Sequence, residues 1–160
     1  MLIAAIDIET TGLQRSCSMT ELAVCTSNDA EVLWRAPDHL VIRGEVIHCT
    51  VDRLLTVLHP WLHEQLLVDY NIFFDLRRLA TFQGACTLTM LAIDLLPLAQ
   101  RLMQRHAPPR LVEACAHFGV PVEGPEHQAR HDARRALALA QCISHELPLS
   151  PLRVHLGRLL

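Results

Sequence analysis

A chain of 160 residues with 51% hydrophobic and 19% charged side chains can bury one sizeable core and is too apolar to stay disordered. Its formal charge of −3 excludes a global attraction for polyanions, so any nucleic-acid contact must come from a local patch or from metal ions. No apolar run reaches membrane-spanning length and the N-terminus lacks the pattern of a signal peptide, so the expectation is a soluble, cytoplasmic protein without a membrane partner.

In chain order, Leu2 to Ile6 is a short apolar run that reads as a buried strand. Met19 to Thr26 and Glu31 to Arg35 follow with a turn at Asn28-Asp29, which predicts a meander of three antiparallel strands. Pro37 and Asp38 break the pattern, and Leu40-Val41-Ile42 is too short to classify. From Asp52 the period turns helical through Leu54, Leu55, Leu58, Trp61 and Leu62, with Pro60 a local objection. Leu66 to Val68 reads as a brief buried strand, and Phe73 to Phe82 as a helix closed by Gly84. Leu88 to Leu96 is expected to be helical up to Pro97. A short helix over Leu111, Cys115 and Phe118 ends at Gly119, and the last helix carries Ala129, Ala133, Leu137, Ala140 and Ile143. Residues 1–147 make the expected domain and 148–160 a C-terminal tail. The order of elements suggests an α/β fold, a mixed sheet of three antiparallel strands and then shorter parallel ones, flanked by helices.

Six cysteines stand apart without a Cys-x-x-Cys pair, several inside apolar stretches, and are expected to be reduced core thiols. Every basic residue apart from histidine is arginine, which looks like compositional bias rather than site design.

The chemistry begins at Asp7-Ile8-Glu9-Thr10-Thr11-Gly12-Leu13. Residues two apart on a strand share a face, so Asp7 and Glu9 aim two carboxylates at one point. Either the strand ends in a solvated acidic turn, or a hard divalent cation relieves the repulsion. Asp75, in Asn71-Ile72-Phe73-Phe74-Asp75, falls in the first turn of a predicted helix, where an acid also serves the helix dipole. Asp132, in His127-Gln128-Ala129-Arg130-His131-Asp132, enters the last helix. On a formed helix His127 and Asp132 diverge by about 140°, so they share a site only if His127 stands in the preceding loop. Glu21 on the second strand reads as supporting or structural. Arg77, Arg78, Arg130, Arg134 and Arg135 flank these motifs, as phosphate contacts or as a solvated helix face.

Together these motifs resemble the DEDDh, or DnaQ-like, class of 3′–5′ exonucleases within the ribonuclease H-like superfamily. Asp7, Glu9, Thr10 and Gly12 match Asp-x-Glu-Thr-x-Gly; Asn71, Phe74 and Asp75 match Asn-x-x-Phe-Asp; His127, Ala129, Asp132 and Ala133 match His-x-Ala-x-x-Asp-Ala. The resemblance covers about residues 2 to 145. Tyr70 stands where a histidine is frequent, Cys49 where glycine is usual, and Cys86-Thr87-Leu88 is similar to the exonuclease X branch.

The resemblance implies two divalent ions, Mg2+ or Mn2+. Asp7 would be shared between them, Glu9 and Asp132 would hold one, and Asp75 would support the other through water. It implies His127 as general base, with His131 its rival. The substrate end would involve the backbone near Glu9 and Thr10, with Thr11, Gly12 and Asn71, while Leu13 and Phe74 pack on the terminal bases. The expected partner is a nucleic-acid 3′ end, DNA before RNA because 4% aromatic content offers few stacking platforms. The alternatives are an exoribonuclease, and a polymerase- or clamp-associated module docked through the tail.

Overall fold

The computed structural model describes residues 2–14, 17–62, 65–81, 89–146 and 151–155. Among these residues eight strands form one sheet: β1 (Ile3–Thr10), β2 (Met19–Thr26), β3 (Glu31–Arg35), β4 (His39–Ile42), β5 (Glu45–His48), β6 (Leu66–Asp69), β7 (Thr89–Asp94) and β8 (Leu152–His155), in the order β5-β4-β3-β2-β1-β6-β7-β8. The predicted meander is β1 to β3, with antiparallel register Asp7↔Ala23 and Ala23↔Leu33. Leu40 to Ile42, unclassified from sequence, forms β4, and β5 extends the antiparallel edge. β6 lies parallel to β1 (Val68↔Ala5), and β7 parallel to β6. The α/β class and mixed sheet expected from the order of elements are present.

Among the described residues five helices cover the sheet: α1 (Val51–Leu62), α2 (Ile72–Thr81), α3 (Leu95–Leu102), α4 (Leu111–His117) and α5 (Ala129–Glu146). Among the described residues no helix is long and apolar enough to cross a membrane. Alternation along β1 divides the core. Ala4, Ile6 and Ile8 meet Leu54, Leu58, Leu62, Leu76 and Leu79 from α1 and α2 on one face. Each of these fully buried leucines contributes about 1.5–3 kcal/mol relative to exposure. On the other face Ala5 of β1 and Ala23 of β2 meet Ala129, Ala133, Ala136 and Ala140 of α5. Alanine on alanine lets α5 lie close against β1, which brings the start of α5 to the C-terminal end of that strand.

Two expectations are corrected. Leu88 to Leu96 is not one helix: Thr89–Asp94 is the parallel strand β7 and the helix begins only at Leu95. The run Met90 to Ile93 is a short apolar segment, for which helical and strand readings compete, and pairing with β6 decides it. Asp94 then caps α3 by accepting the Leu96 N–H at 3.0 Å. Pro97 therefore lies in the first turn, where its missing N–H costs nothing. The segment read as a tail also contributes to the fold, because Leu152–His155 forms β8, antiparallel to β7. Pro60 lies inside α1, which continues two residues further. Gly84, Cys86-Thr87-Leu88 and the end of the tail fall outside the described residues.

Candidate active site

Asp7 and Glu9 lie within β1 rather than beyond it, on the face turned to α5. A register shift between Glu9 and Thr10, where Glu9 faces Glu21 but Thr10 faces Met19, bends the strand at its end. Such irregularities re-aim side chains, here just where the acids gather. Asp75 arrives from the first turn of α2, buried, and its Oδ1 accepts the Ile8 N–H at 2.8 Å. That bond ties α2 to the strand bearing the acidic pair.

Asp132 sits in the first turn of α5, buried among alanines. His127 precedes the helix with φ 59°, so it stands in the loop as its pairing with Asp132 requires. Its N–H donates to Asp132 Oδ2 at 2.9 Å. Glu21 is buried and joins two elements, accepting from Ala129 N at 2.8 Å and from Arg35 Nε at 2.6 Å. It thereby satisfies an orphan donor at the start of α5.

Donor atoms collect in two adjacent groups, Glu9 with His127 and Asp132, and Asp7 with Asp69 and Asp75, the atoms of each group lying within 4.8 Å of one another. Asp69, which sequence reasoning passed over, ends β6 and is 1% exposed. Its only sequence signal is an acid closing an apolar strand immediately before the Asn71 motif.

Burial foremost, then the charges of Asp69, Asp132, Glu9 and Glu21, holds the Asp7 carboxyl well above its ordinary range. Burial also pushes Asp75 up to about 8, opposed by its hydrogen bond with Asp69 and reinforced by the charge of Asp7. Asp69 is driven in the same direction, by burial and then by the charge of Asp75. Asp7 Oδ2 and Asp69 Oδ2 are buried without a hydrogen-bond partner. An all-oxygen donor set with orphaned, mutually repelling oxygens fits a hard divalent cation.

Of the flanking arginines, Arg77 lies on an exposed face of α2. Arg78 is buried and donates to the carbonyls of Gln14 at 2.6 Å and Gly12 at 3.3 Å, with its guanidinium 5.0 Å from the centre of the Phe74 ring. It clamps the turn that presents Leu13, whose side chain is 86% exposed. Thr10 Oγ1 closes the same turn on the Gly12 carbonyl at 2.6 Å, and the Thr11 hydroxyl accepts the Ser18 N–H at 3.1 Å. Arg130 and Arg134 both pair with Glu31 on β3.

Arg135 is the most committed of the five. Its side chain is 2% exposed and donates to Asp132 Oδ1 at 2.5 Å, Gly124 O at 2.5 Å, Glu123 O at 2.9 Å and Pro125 O at 3.3 Å. It fastens the loop before His127 to the carboxylate the loop must meet. The three-residue spacing on one helix face was the available signal.

Asn71 is exposed with φ 73°, and its N–H donates to Asp94 Oδ1 at 3.0 Å. Tyr70 donates its hydroxyl to the Pro109 carbonyl at 2.7 Å. His131 packs instead on Gly124, where an added Cβ would stand 2.3 Å from its imidazole. The structure thus brings His127, and not His131, to the acids.

The sequence matches no protein-family profile and no curated protein. Solved structures do resemble the chain. Cell-death related nuclease 4 (CRN-4) superposes with a TM-score of 0.66 at 16% identity, over 95% of this chain and 66% of its own. The zinc ion bound form of the E. coli ExoI–ssDNA complex gives 0.60 at 13%, over 92% of this chain and 41% of that one. Brucella melitensis NrnC gives 0.59 at 16%, over 89% and 72%. The chain has the ribonuclease H-like fold. It spans only about two fifths of the length of the exonuclease I chain and two thirds of the CRN-4 chain.

Proposed function

We propose that this chain is a metal-dependent 3′–5′ exonuclease of the DEDDh type, hydrolysing phosphodiester bonds at DNA 3′ ends and releasing nucleoside monophosphates. The observation that carries the reading is the convergence of Asp7, Glu9, Asp75, Asp132 and His127, from three separate stretches of sequence, on the C-terminal end of β1. Likeness in fold to a nuclease and to an exonuclease solved with single-stranded DNA and zinc supports it.

Asp7, Glu9, Asp75 and Asp132 would hold two divalent ions, Mg2+ or Mn2+, which when bound supply water activation and charge neutralisation at the phosphate. His127, the exposed imidazole beside Glu9 and Asp132, would accept the proton of the attacking water. Leu13, projecting from a turn fixed by Arg78, and the half-buried Phe74 ring offer apolar surfaces for the terminal bases. The Thr10 hydroxyl donates to the Gly12 carbonyl, so that turn would offer the terminal sugar its backbone and the acceptor side of that hydroxyl.

The test is a time course on 5′-labelled single-stranded DNA and RNA with Mg2+ or Mn2+. Wild type should give a ladder shortening from the 3′ end, faster on DNA. His127→Ala should slow it by about 10²–10⁴-fold, the usual worth of a general base, while His131→Ala retains most activity. Faster loss of RNA would overturn the choice of DNA, and a crippled His131→Ala beside an active His127→Ala would overturn the choice of base.

A further inference from the structure

We propose that Asp69 is a direct ligand for the ion shared with Asp7 and Asp75, so that this chain holds both divalent ions before nucleic acid binds. The inference rests on the two-ion reading above. It goes beyond it by adding a carboxylate that the three sequence motifs do not contain.

The placement follows from the sheet. β6 runs parallel to β1 with Val68 beside Ala5, so the last residue of β6 comes level with the step into Asp7. On its other side Asp69 pairs with Asp94 of β7. Those two acids have different employment. Asp94 Oδ1 accepts from the N–H groups of Asn71 and Leu96 and so caps α3 and fixes the turn after β6. Asp69 caps no helix: its side chain turns into the acidic group, 1% exposed, hydrogen-bonded with Asp75 and to the Tyr70 backbone but with Oδ2 lacking any partner. Asp7 Oδ2, in the same group, is also sealed from solvent and unpartnered. Burying one carboxylate oxygen without a partner is costly; here two such residues, together with Asp75, each bring a carboxylate oxygen within 4.8 Å of the others, which describes a place for a cation.

The consequence is order of assembly. An ion held by Asp7 and Asp75 alone lacks protein ligands and needs substrate phosphate to complete its shell. A third carboxylate lets the protein retain that ion unaided.

Manganese titration of the substrate-free protein, with free Mn2+ read by electron paramagnetic resonance, decides it. Wild type should bind two ions per chain. Asp69→Asn should bind one at wild-type affinity and the other weakened more than about 100-fold, beyond the roughly 10–100-fold that losing a hydrogen-bond partner of a ligand costs; a smaller loss would leave Asp69 as a partner of Asp75 and overturn the proposal. Asp69→Ser, equally uncharged and smaller, should behave alike and covers a folding failure of the first variant. The metal-free thermal midpoint of Asp69→Asn should match or exceed wild type, since a like charge has left a crowded site. Unchanged Mn2+ binding by folded Asp69→Asn would overturn the proposal and leave Asp69 as a hydrogen-bond partner of Asp75. Only one ion on substrate-free wild type, with metal-dependent cleavage intact, would also overturn it while sparing the exonuclease reading. No cleavage with any divalent ion would remove the exonuclease reading itself.

Discussion

Arg135 offers the sharpest test of how the site is built. In Arg135→Met the side chain keeps its volume but loses four hydrogen bonds and the charge facing Asp132. The carbonyls of Glu123, Gly124 and Pro125 belong to exposed residues and can turn to water, so their loss is cheap. Asp132 cannot do so as readily, because it is 9% exposed, its charged partner is gone and only the His127 N–H on Oδ2 remains. Removing one member of a buried pair costs about 3–5 kcal/mol. For a domain of this size that lowers the thermal midpoint by roughly 6–20 °C, at about 2–4 °C per kcal/mol. The assay is urea unfolding without divalent ions on wild type, Arg135→Met, Asp132→Asn and the double variant. Asp132→Asn should destabilise wild type but stabilise the Arg135→Met background, where it removes an uncompensated charge. A cost below about 1 kcal/mol for Arg135→Met, the range of an exposed pair, or the same sign for Asp132→Asn in both backgrounds, would refute the reasoning.

Without divalent ions the protein should be more stable at pH 5 than at pH 8. Asp75 is held at about 8 when folded against an ordinary 3.8, so its contribution is full below the lower value and is lost as pH rises through the upper one. Asp7 and Asp69 shift in the same direction, and added Mg2+ should reverse the trend; a metal-free thermal midpoint higher at pH 8 would contradict this. Arg78→Ala should free the turn bearing Leu13, costing about 2 kcal/mol from charged hydrogen bonds and raising KM for single-stranded DNA more than it lowers kcat; an unchanged KM would count against a role for that turn. Tyr70→Phe loses one bond to the Pro109 carbonyl and should cost about 1 kcal/mol with activity intact, measured by urea unfolding and the same cleavage assay.

The parts of this molecule that were legible in the sequence carry local signals. Asp7 and Glu9 follow an apolar run, Asp75 and Asp132 lie in first turns of helices, and His127 stands after the Gly124-Pro125 loop. What stayed hidden depends on partners distant in sequence. β7 was read as helix because Met90 to Ile93 is apolar on either reading, and only β6 beside it settles the matter. β8 is a strand because β7 supplies an edge, a fact absent from Leu152 to His155 alone. Arg78 and Arg135 read from sequence as phosphate contacts or a solvated face; their neighbours include loop carbonyls, which sequence periodicity does not register. Asp69 carries no local signal beyond an acid at the end of an apolar strand, and its neighbour Asp7 lies far away in sequence.

The central claim is that the carboxylates at the end of β1 run a metal-dependent reaction at a nucleic-acid 3′ end. Release of label from 3′-labelled single-stranded DNA, by wild type and Asp7→Asn, in Mg2+ and then in excess chelator, tests it most directly. Wild type should release labelled mononucleotide immediately in Mg2+ alone, with Asp7→Asn at background in both conditions. Release that persists in chelator, or in Asp7→Asn at the wild-type rate, would contradict it.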